Sequence, residues 1–306
     1  MTPLRLLSAG DRVALVAPAS PCPREEIDAG VVELARLGFE AVYDNSVFEK
    51  ARFVAGSAET RAAAINRALA DSSIAALIAV RGGYGSAHVL PLLDANVLRE
   101  SRKALIGYSD VTAILSFYLN HGLTAIHGPM IDRRLAKGPE GYDEASFRRV
   151  TMAAGPAGEL RPAQLETLHE GDASGVIVGG TLTQIAALLG TPWAMKVPSG
   201  AVLFLEDVSE RPYRVHRMLT QLEQSGMLAR VSAMVFGEFP GCDEPGGEVL
   251  IRDVLRDFTD DFRGPVIFGF PSGHTAGATW TLPLGVRARV VANARPLVIV
   301  TEAAVA

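Results

Sequence analysis

Patterns typical of buried strands alternate with helical patterns along the first half of the chain. Val13-Ala14-Leu15-Val16-Ala17 is a continuous apolar run stopped by Pro18, and residues 27–37 repeat apolar side chains at helical spacing. Residues 39–43 and 74–80 predict two more strands, and the alanine-rich residues 60–70 predict a helix between them. Because such alternation builds parallel sheets covered by helices, the sequence predicts a doubly wound α/β domain.

The pattern changes in the second half of the chain. Glycine and proline punctuate residues 136–172, which predicts a linker with one or two irregular helices. Strand signals resume near Gly175 and recur at residues 201–205, 233–236, 266–268, 286–290 and 297–301, with a helix at 183–189. We therefore predict an N-terminal α/β domain at 1–135, a linker at 136–172 and a smaller, β-rich α/β domain at 173–306.

Composition excludes several classes of function. The formal net charge is -5 and lysine and arginine form no dense block, which argues against a nucleic-acid partner. The two cysteines, Cys22 and Cys242, form no disulfide framework and no CxxC metal spacing, so we expect no metal. No apolar stretch approaches about 20 residues and no signal-peptide core is present, so we expect a cytoplasmic protein without a membrane partner.

One segment carries a candidate nucleophile. The strand-like run Ala104-Leu105-Ile106 is followed by Gly107, then by Ser109, and a helical pattern runs from about Val111 to Asn120. A tight turn between a strand and a helix lifts a serine hydroxyl out of the sheet. The sequence therefore predicts a serine hydrolase with Ser109 as nucleophile.

A serine needs a general base, and the base usually needs an acid that orients it. Among six histidines, His274 is the best candidate because it lies in a glycine- and proline-rich loop after a strand. His127 also follows a strand and competes with it. Glu206 and Asp207 end the apolar run of residues 203–205, so Glu206 is the candidate acid, the alternative being a solvent-facing strand end.

The segment Arg81-Gly82-Gly83-Tyr84-Gly85 directly follows the third predicted strand. It fails the G-x-G-x-x-G pattern and the chain has no P-loop, so no nucleotide cofactor is expected. The amides of Gly83 or Gly82 could join the amide of Asp110 in an oxyanion hole. A plain strand–helix turn is the alternative for this segment.

Taken together, these segments resemble the LD-carboxypeptidases, also called muramoyltetrapeptide carboxypeptidases. The resemblance runs in order over nearly the whole chain. It rests on these segments: Ala17-Pro18-Ala19-Ser20, Arg81-Gly82-Gly83-Tyr84-Gly85, Gly107-Tyr108-Ser109-Asp110, His127-Gly128-Pro129-Met130, Gly179-Gly180-Thr181-Leu182, Leu205-Glu206-Asp207 and Gly273-His274.

The resemblance implies a two-domain serine peptidase with its active site between the domains. Ser109 would come from the first domain, and Glu206 and His274 from the second, which sets His127 aside as the base. Family members release the terminal D-Ala of the cytoplasmic murein tetrapeptide during cell-wall recycling. They use no metal and are often homodimers, so we expect a homodimer with a small peptide substrate.

The chain departs from the family at Thr181, where the family usually has Asn, which changes a hydrogen bond near the cleft. A related branch, the microcin-C self-immunity peptidases, cleaves a peptidyl-nucleotide and would need an aromatic side chain to stack a base. A non-catalytic binder of an anionic ligand is an alternative from another class. A carboxypeptidase also needs a group for the substrate carboxylate, and Arg81, Arg211 and Arg214 are equal candidates from the sequence.

Overall fold

The structure is a computed structural model that describes residues 1–306. The strands are β1 Arg12–Val16, β2 Glu40–Val42, β3 Ile74–Ala79, β4 Leu105–Gly107, β5 Ala125–His127, β6 Gly158–Leu160, β7 Glu166–His169, β8 Gly171–Thr181, β9 Ala201–Glu206, β10 Val231–Phe236, β11 Val266–Phe268, β12 Leu282–Leu284, β13 Arg287–Ala292 and β14 Leu297–Val300. The helices are α1 Arg24–Leu37, α2 Ala58–Ala70, α3 Ser86–Val89, α4 Ala95–Ser101, α5 Thr112–Asn120, α6 Glu144–Thr151, α7 Leu182–Leu188, α8 Pro212–Gln224 and α9 Ile251–Phe258.

The first sheet has six strands in the order β12-β5-β4-β3-β1-β2. The five strands from the N-terminal half are parallel, and β12 pairs antiparallel with β5 at one edge. All six residues of β3, Ile-Ala-Ala-Leu-Ile-Ala, are buried, as expected for a strand covered on both faces. The strand order reverses between β1 and β3, and ligands of such sheets bind at the carboxyl ends of strands beside that point.

The second sheet has eight strands in the order β6-β14-β13-β8-β9-β10-β11-β7. Its centre, β8-β9-β10-β11, is parallel, and its outer strands pair antiparallel. Glu206 is the last residue of β9, and Thr181 is the last residue of β8 and its direct partner in the ladder. The parallel centre therefore collects Thr181 and Glu206 at one edge of the sheet.

The predicted fold class, a doubly wound α/β domain followed by a β-rich α/β domain, is confirmed. The chain departs from the predicted division at two places. Residues 136–172 contain α6 and two edge strands, β6 and β7, that belong to the second sheet. From the second half of the chain, β12 crosses over and completes the first sheet.

The termini also tie the two halves together. Leu4 donates its amide to Ala304 and accepts one from Ala306, each at 2.9 Å. Buried apolar side chains of both sheets form one continuous core. No helix combines the length and apolar character needed to cross a bilayer, and α1, with 14 residues, is the longest.

Candidate active site

Ser109 lies on the sharp turn that the sequence predicts. Strand β4 ends at Gly107, Tyr108 is extended, and Ser109 begins a single 3-10 turn, residues 109–111, that leads into α5. Ser109 has a φ of 62°, a left-handed value that is unfavourable for a residue with a side chain. Non-glycine residues held in this region concentrate at functional sites, and here the strained turn presents the serine at the carboxyl end of the sheet.

Gly82 packs directly against Ser109. A Cβ at position 82 would lie 2.8 Å from the Ser109 Cβ and 3.4 Å from the Asp110 amide nitrogen, so only glycine permits this approach. The amides of Gly82 and Gly83 donate no hydrogen bond within the chain. The glycine segment thus places two unpaired donors beside the serine, at the edge where an anion can approach.

Polar contacts hold the glycine segment in place. The Asp110 carboxylate accepts a hydrogen bond from the Ser86 amide at 2.6 Å, and the buried Arg61 donates to the carbonyls of Gly85 and Pro18. The Ser20 hydroxyl, after β1, accepts a hydrogen bond from the Tyr84 amide at 3.1 Å. The Asp110 side chain therefore fixes the loop, whereas its backbone amide is the group that lies near Ser109.

Glu206 and His274 are directly bonded. Oε2 of Glu206 accepts hydrogen bonds from His274 Nδ1 at 2.8 Å and from the His274 backbone amide at 2.9 Å. Glu206 is fully buried, and the His274 side chain is 19% exposed. Because Nδ1 is committed to the carboxylate, Nε2 is the ring nitrogen left for proton transfer.

The two groups support each other's charged forms. Burial acts to raise the pKa of Glu206, but the charge and hydrogen bond of His274 outweigh it and bring the pKa down to about 2. Burial acts to lower the pKa of His274, but the Glu206 carboxylate raises it above the usual value of 6.5. Glu206 is therefore ionised at neutral pH and favours the imidazolium that forms when His274 takes a proton.

Thr181 supplies a third contact to this carboxylate. Its hydroxyl donates to Oε1 of Glu206, and its amide donates to the Thr112 hydroxyl of α5 at 3.1 Å. The residue at which the chain departs from the family pattern thus lies beside the acid and still provides a donor. Asp207, the neighbouring carboxylate, instead accepts the amide and hydroxyl of Thr183 at the start of α7.

The loop that carries His274 is shaped by Gly273 and Arg134. Gly273 has a φ of 86°, and a Cβ there would lie 2.7 Å from the Glu206 carboxyl carbon. The buried Arg134 guanidinium donates to the carbonyls of Gly273, Thr275 and Gly277 at 2.8 to 3.1 Å. Arg134 also donates to the Tyr108 hydroxyl at 3.2 Å. Sequence reasoning missed Arg134, because nothing local marks an arginine whose partners lie about 140 residues away.

Tyr108 connects the two halves of the site. Its ring meets the His274 ring edge-on, with centroids 5.0 Å apart, and Ser109 is the next residue in the chain. The Ser109 hydroxyl forms no hydrogen bond with His274 in the structure. In unliganded enzymes such catalytic hydrogen bonds are often long and tighten only when substrate binds.

His127, the competing base, is fully buried behind Glu206. The Ser272 hydroxyl donates to the Trp280 carbonyl at 2.9 Å, so its oxygen accepts from His127 Nδ1, also at 2.9 Å. The other ring nitrogen, Nε2, has no hydrogen-bond partner and lies 3.9 Å from Glu206 Oε1. Burial lowers the pKa of His127 to about 4, although Glu206 opposes it, so this histidine is neutral.

The three candidate arginines lie outside the centre. Arg81 is paired with Asp132 at 3.1 Å, donates to the Pro21 carbonyl, and lines a different cavity from His274. Arg211 pairs with Glu244, and Arg214 lies 3.6 Å from Glu210. The structure therefore does not bring Arg81 together with Ser109 and His274, because Asp132 holds it elsewhere.

A strained serine after a strand of one sheet and a histidine–carboxylate pair at the edge of the other supply the residue types of a serine hydrolase. No group of three or more His, Cys, Asp or Glu side chains is placed to hold a metal ion. Two family models match the chain, the LD-carboxypeptidase N-terminal domain at residues 13–128 and the LD-carboxypeptidase C-terminal domain at residues 174–290. The chain belongs to the LD-carboxypeptidase family and is a serine carboxypeptidase.

Relatives in this family fall into two functional groups. The murein tetrapeptide carboxypeptidase of Pseudomonas aeruginosa is 34% identical over 87% of this chain and 88% of its own length. The crystal structure of muramoyltetrapeptide carboxypeptidase from Oxalobacter formigenes is 30% identical, with a TM-score of 0.83 over 95% of this chain and 99% of that chain. A structure of the microcin C7 self-immunity protein MccF with aspartyl sulfamoyl adenosine is 25% identical, with a TM-score of 0.92 over 100% of both chains.

Proposed function

We propose that this protein removes the terminal D-Ala of the murein tetrapeptide in the cytoplasm, using Ser109, His274 and Glu206 as a catalytic triad. The observation that supports the triad most directly is the 2.8 Å bond between His274 Nδ1 and the buried Glu206 carboxylate. That bond fixes the tautomer, so Nε2 can accept a proton from a serine. The positive φ of Ser109 supports its role as nucleophile.

In the proposed reaction, His274 accepts the Ser109 proton as the hydroxyl oxygen attacks the scissile carbonyl. The amides of Asp110 and of Gly82 or Gly83 stabilise the oxyanion, each donor contributing on the order of 10²–10³ in rate. His274 then protonates the departing amine, and D-Ala leaves. Water attacks the acyl-serine with His274 as base, which releases the tripeptide and restores the Ser109 hydroxyl.

The tetrapeptide assignment is drawn from the relatives that share this fold and is tested with substrates. Wild-type protein is incubated with L-Ala-γ-D-Glu-meso-diaminopimelate-D-Ala, and free D-Ala is measured. The matched peptide ends in L-Ala and tests the stereochemical preference. Release of D-Ala with little release of L-Ala supports the proposal, and release from neither peptide contradicts it.

A second function, hydrolysis of a peptidyl-nucleotide, is favoured by one observation. Phe53 and Tyr84 are 61% and 49% exposed, and their rings meet edge-on at 5.4 Å beside the glycine segment. Exposed aromatic rings can stack a nucleobase. Neither Trp193 nor Trp280 lines the cavity beside His274. Cleavage of an aspartyl sulfamoyl adenosine analogue in preference to the tetrapeptide would assign this second function.

The third hypothesis, a non-catalytic binder, is not retained. A binding protein gains nothing from a buried carboxylate that stabilises a protonated histidine. Ionised side chains of this kind are costly to bury without a partner. The Glu206–His274 pair is explained by proton transfer.

A further inference from the structure

A cavity of about 320 Å³ opens between the two domains beside His274. Tyr108 and Arg133 line it from the first domain, Lys137 and Glu140 from the segment that follows, and His274 and Thr275 from the second domain. Its volume lies at the lower end of the range for small-molecule sites. The proposed reaction gives this space no role so far.

Cations dominate the charged side chains of this cavity. Arg134 is committed to four protein oxygens and is not available for a ligand. Lys137 has no acidic partner within 4.0 Å, and the exposed Arg133 lies 3.7 Å from Asp132, which Arg81 already holds at 3.1 Å. Glu140 is the one acid in the lining and forms no ion pair. Lys137 is therefore unpaired, and Arg133 shares its one acidic partner, Asp132, with Arg81, so these two cations can bind an anionic group.

The backbone of Arg133 is held in an uncommon conformation. Arg133 has a φ of 61°, and its amide donates to the Glu26 carboxylate at 2.7 Å. A left-handed arginine is uncommon and is retained where surrounding contacts enforce it. The Arg133 side chain is 73% exposed, and the residue lines the cavity.

The position of His274 decides which part of a peptide would occupy the cavity. The oxyanion donors, Gly82, Gly83 and Asp110, are not part of its lining, whereas His274 is. A histidine that protonates the leaving amine must lie beside the departing residue. The departing residue of a carboxypeptidase substrate carries the free terminal carboxylate.

We propose that Arg133 and Lys137 bind the terminal carboxylate of the departing residue in this cavity. The inference rests on the proposed function and names its carboxylate-binding residues, in place of Arg81, Arg211 and Arg214. Arginine pairs with carboxylates in a bidentate geometry, and a lysine beside it adds a second charge.

The test compares the tetrapeptide with the same peptide ending in D-alaninamide, which lacks the carboxylate. Binding of each peptide is measured by calorimetry in the Ser109→Ala background, with and without the pair Arg133→Asn and Lys137→Met. Asparagine tolerates the positive φ at position 133, so the loop keeps its conformation. Lys196→Met, an exposed lysine outside the cavity, is the matched control.

We expect the paired substitutions to weaken binding of the acid on the order of tenfold for each cation lost, and to leave binding of the amide unchanged. In the otherwise wild-type enzyme, KM for the acid should rise more than kcat falls. Two results would overturn the inference, provided that wild-type protein still releases D-Ala. The paired substitutions would leave binding of the acid unchanged, or they would weaken binding of the acid and of the amide equally. Absence of D-Ala release by wild-type protein would instead contradict the proposed function.

Discussion

Glu206 is the residue on which the chemistry of the site depends most. A carboxylate at the end of an apolar strand is unexpected in the sequence, and the structure explains it by donors from His274 and Thr181. These partners keep it ionised although no solvent reaches it. The role that follows is to hold His274 in one tautomer and to raise its pKa.

Glu206→Gln should lower kcat on the order of 10⁴-fold, because the amide no longer stabilises the imidazolium. In wild type, kcat/KM should fall as the pH drops through a His274 pKa above 6.5, since the protonated ring cannot act as base. Burial alone would lower that pKa, so the acidic limb of the variant should move to lower pH. A kcat/KM profile between pH 5 and 9 checks this, and an unmoved limb would contradict it.

Thr181 should be replaceable by a side chain that keeps a donor. Thr181→Val preserves the shape but removes the hydroxyl, and the buried carboxylate then loses a partner, which costs about 1–3 kcal/mol of unfolding free energy. Thr181→Asn supplies an amide donor instead, as in the usual family pattern, and should lose less. Urea unfolding of both variants measures these differences in unfolding free energy. Equal stability of Thr181→Val and wild type would rule out the contact.

Among the elements, the loop 273–277 is the one that carries His274, the proposed base. Gly273 allows it to pass Glu206, and Arg134 holds three of its carbonyls and joins them to Tyr108. These contacts span both domains. The position of this loop relative to Ser109 therefore depends on one buried guanidinium, that of Arg134.

Arg134→Lys should lower kcat about 10- to 100-fold with a smaller effect on KM, because a lysine cannot reach four oxygens and the base is displaced. Added guanidinium should restore part of the rate in Arg134→Ala, whose truncated side chain leaves room for it. The control is Arg148→Lys, which alters a surface pair with Glu144. A change in KM with kcat unchanged, or no recovery of the rate with guanidinium, would show that Arg134 does not position His274.

Local sequence patterns predict the strands and the helix next to the candidate site residues better than they predict the edge strands of the second sheet. Residues 266–268 form the strand that their apolar run indicates, and the strand, turn and helix around Ser109 are present. The edge strands β6 and β7 are polar and short, so they carry no local signal and form only through distant partners. Helix α8 repeats apolar side chains at Val215, Leu219 and Leu222, which is a local helical signal.

For the molecule as a whole, the proposed active site draws its residues from both domains. The sequence predicts Ser109, Glu206 and His274 as site residues through family resemblance, but no local pattern shows that segments so far apart in the chain come together. Strand β12 contains Pro283 and joins the edge of the first sheet, a position where a missing amide is tolerated. Such crossings are set by long-range packing, which local propensity does not encode.

The crossing of β12 and the pairing of the termini should make the two domains unfold together. Each domain uses backbone hydrogen bonds or core side chains supplied by the other. Thermal unfolding followed by calorimetry should therefore show one transition, with equal calorimetric and van't Hoff enthalpies. Two resolved transitions, or a stably folded fragment of residues 1–135, would contradict this coupling.

In the proposed function, Ser109, activated by His274 and Glu206, releases D-Ala from the tetrapeptide. The most direct measurement is kcat for D-Ala release by wild-type protein and by Ser109→Ala, with circular dichroism to show that the variant is folded. We expect release by wild type and a loss in kcat on the order of 10⁴–10⁶ in the variant. Turnover by folded Ser109→Ala close to that of wild type would contradict it.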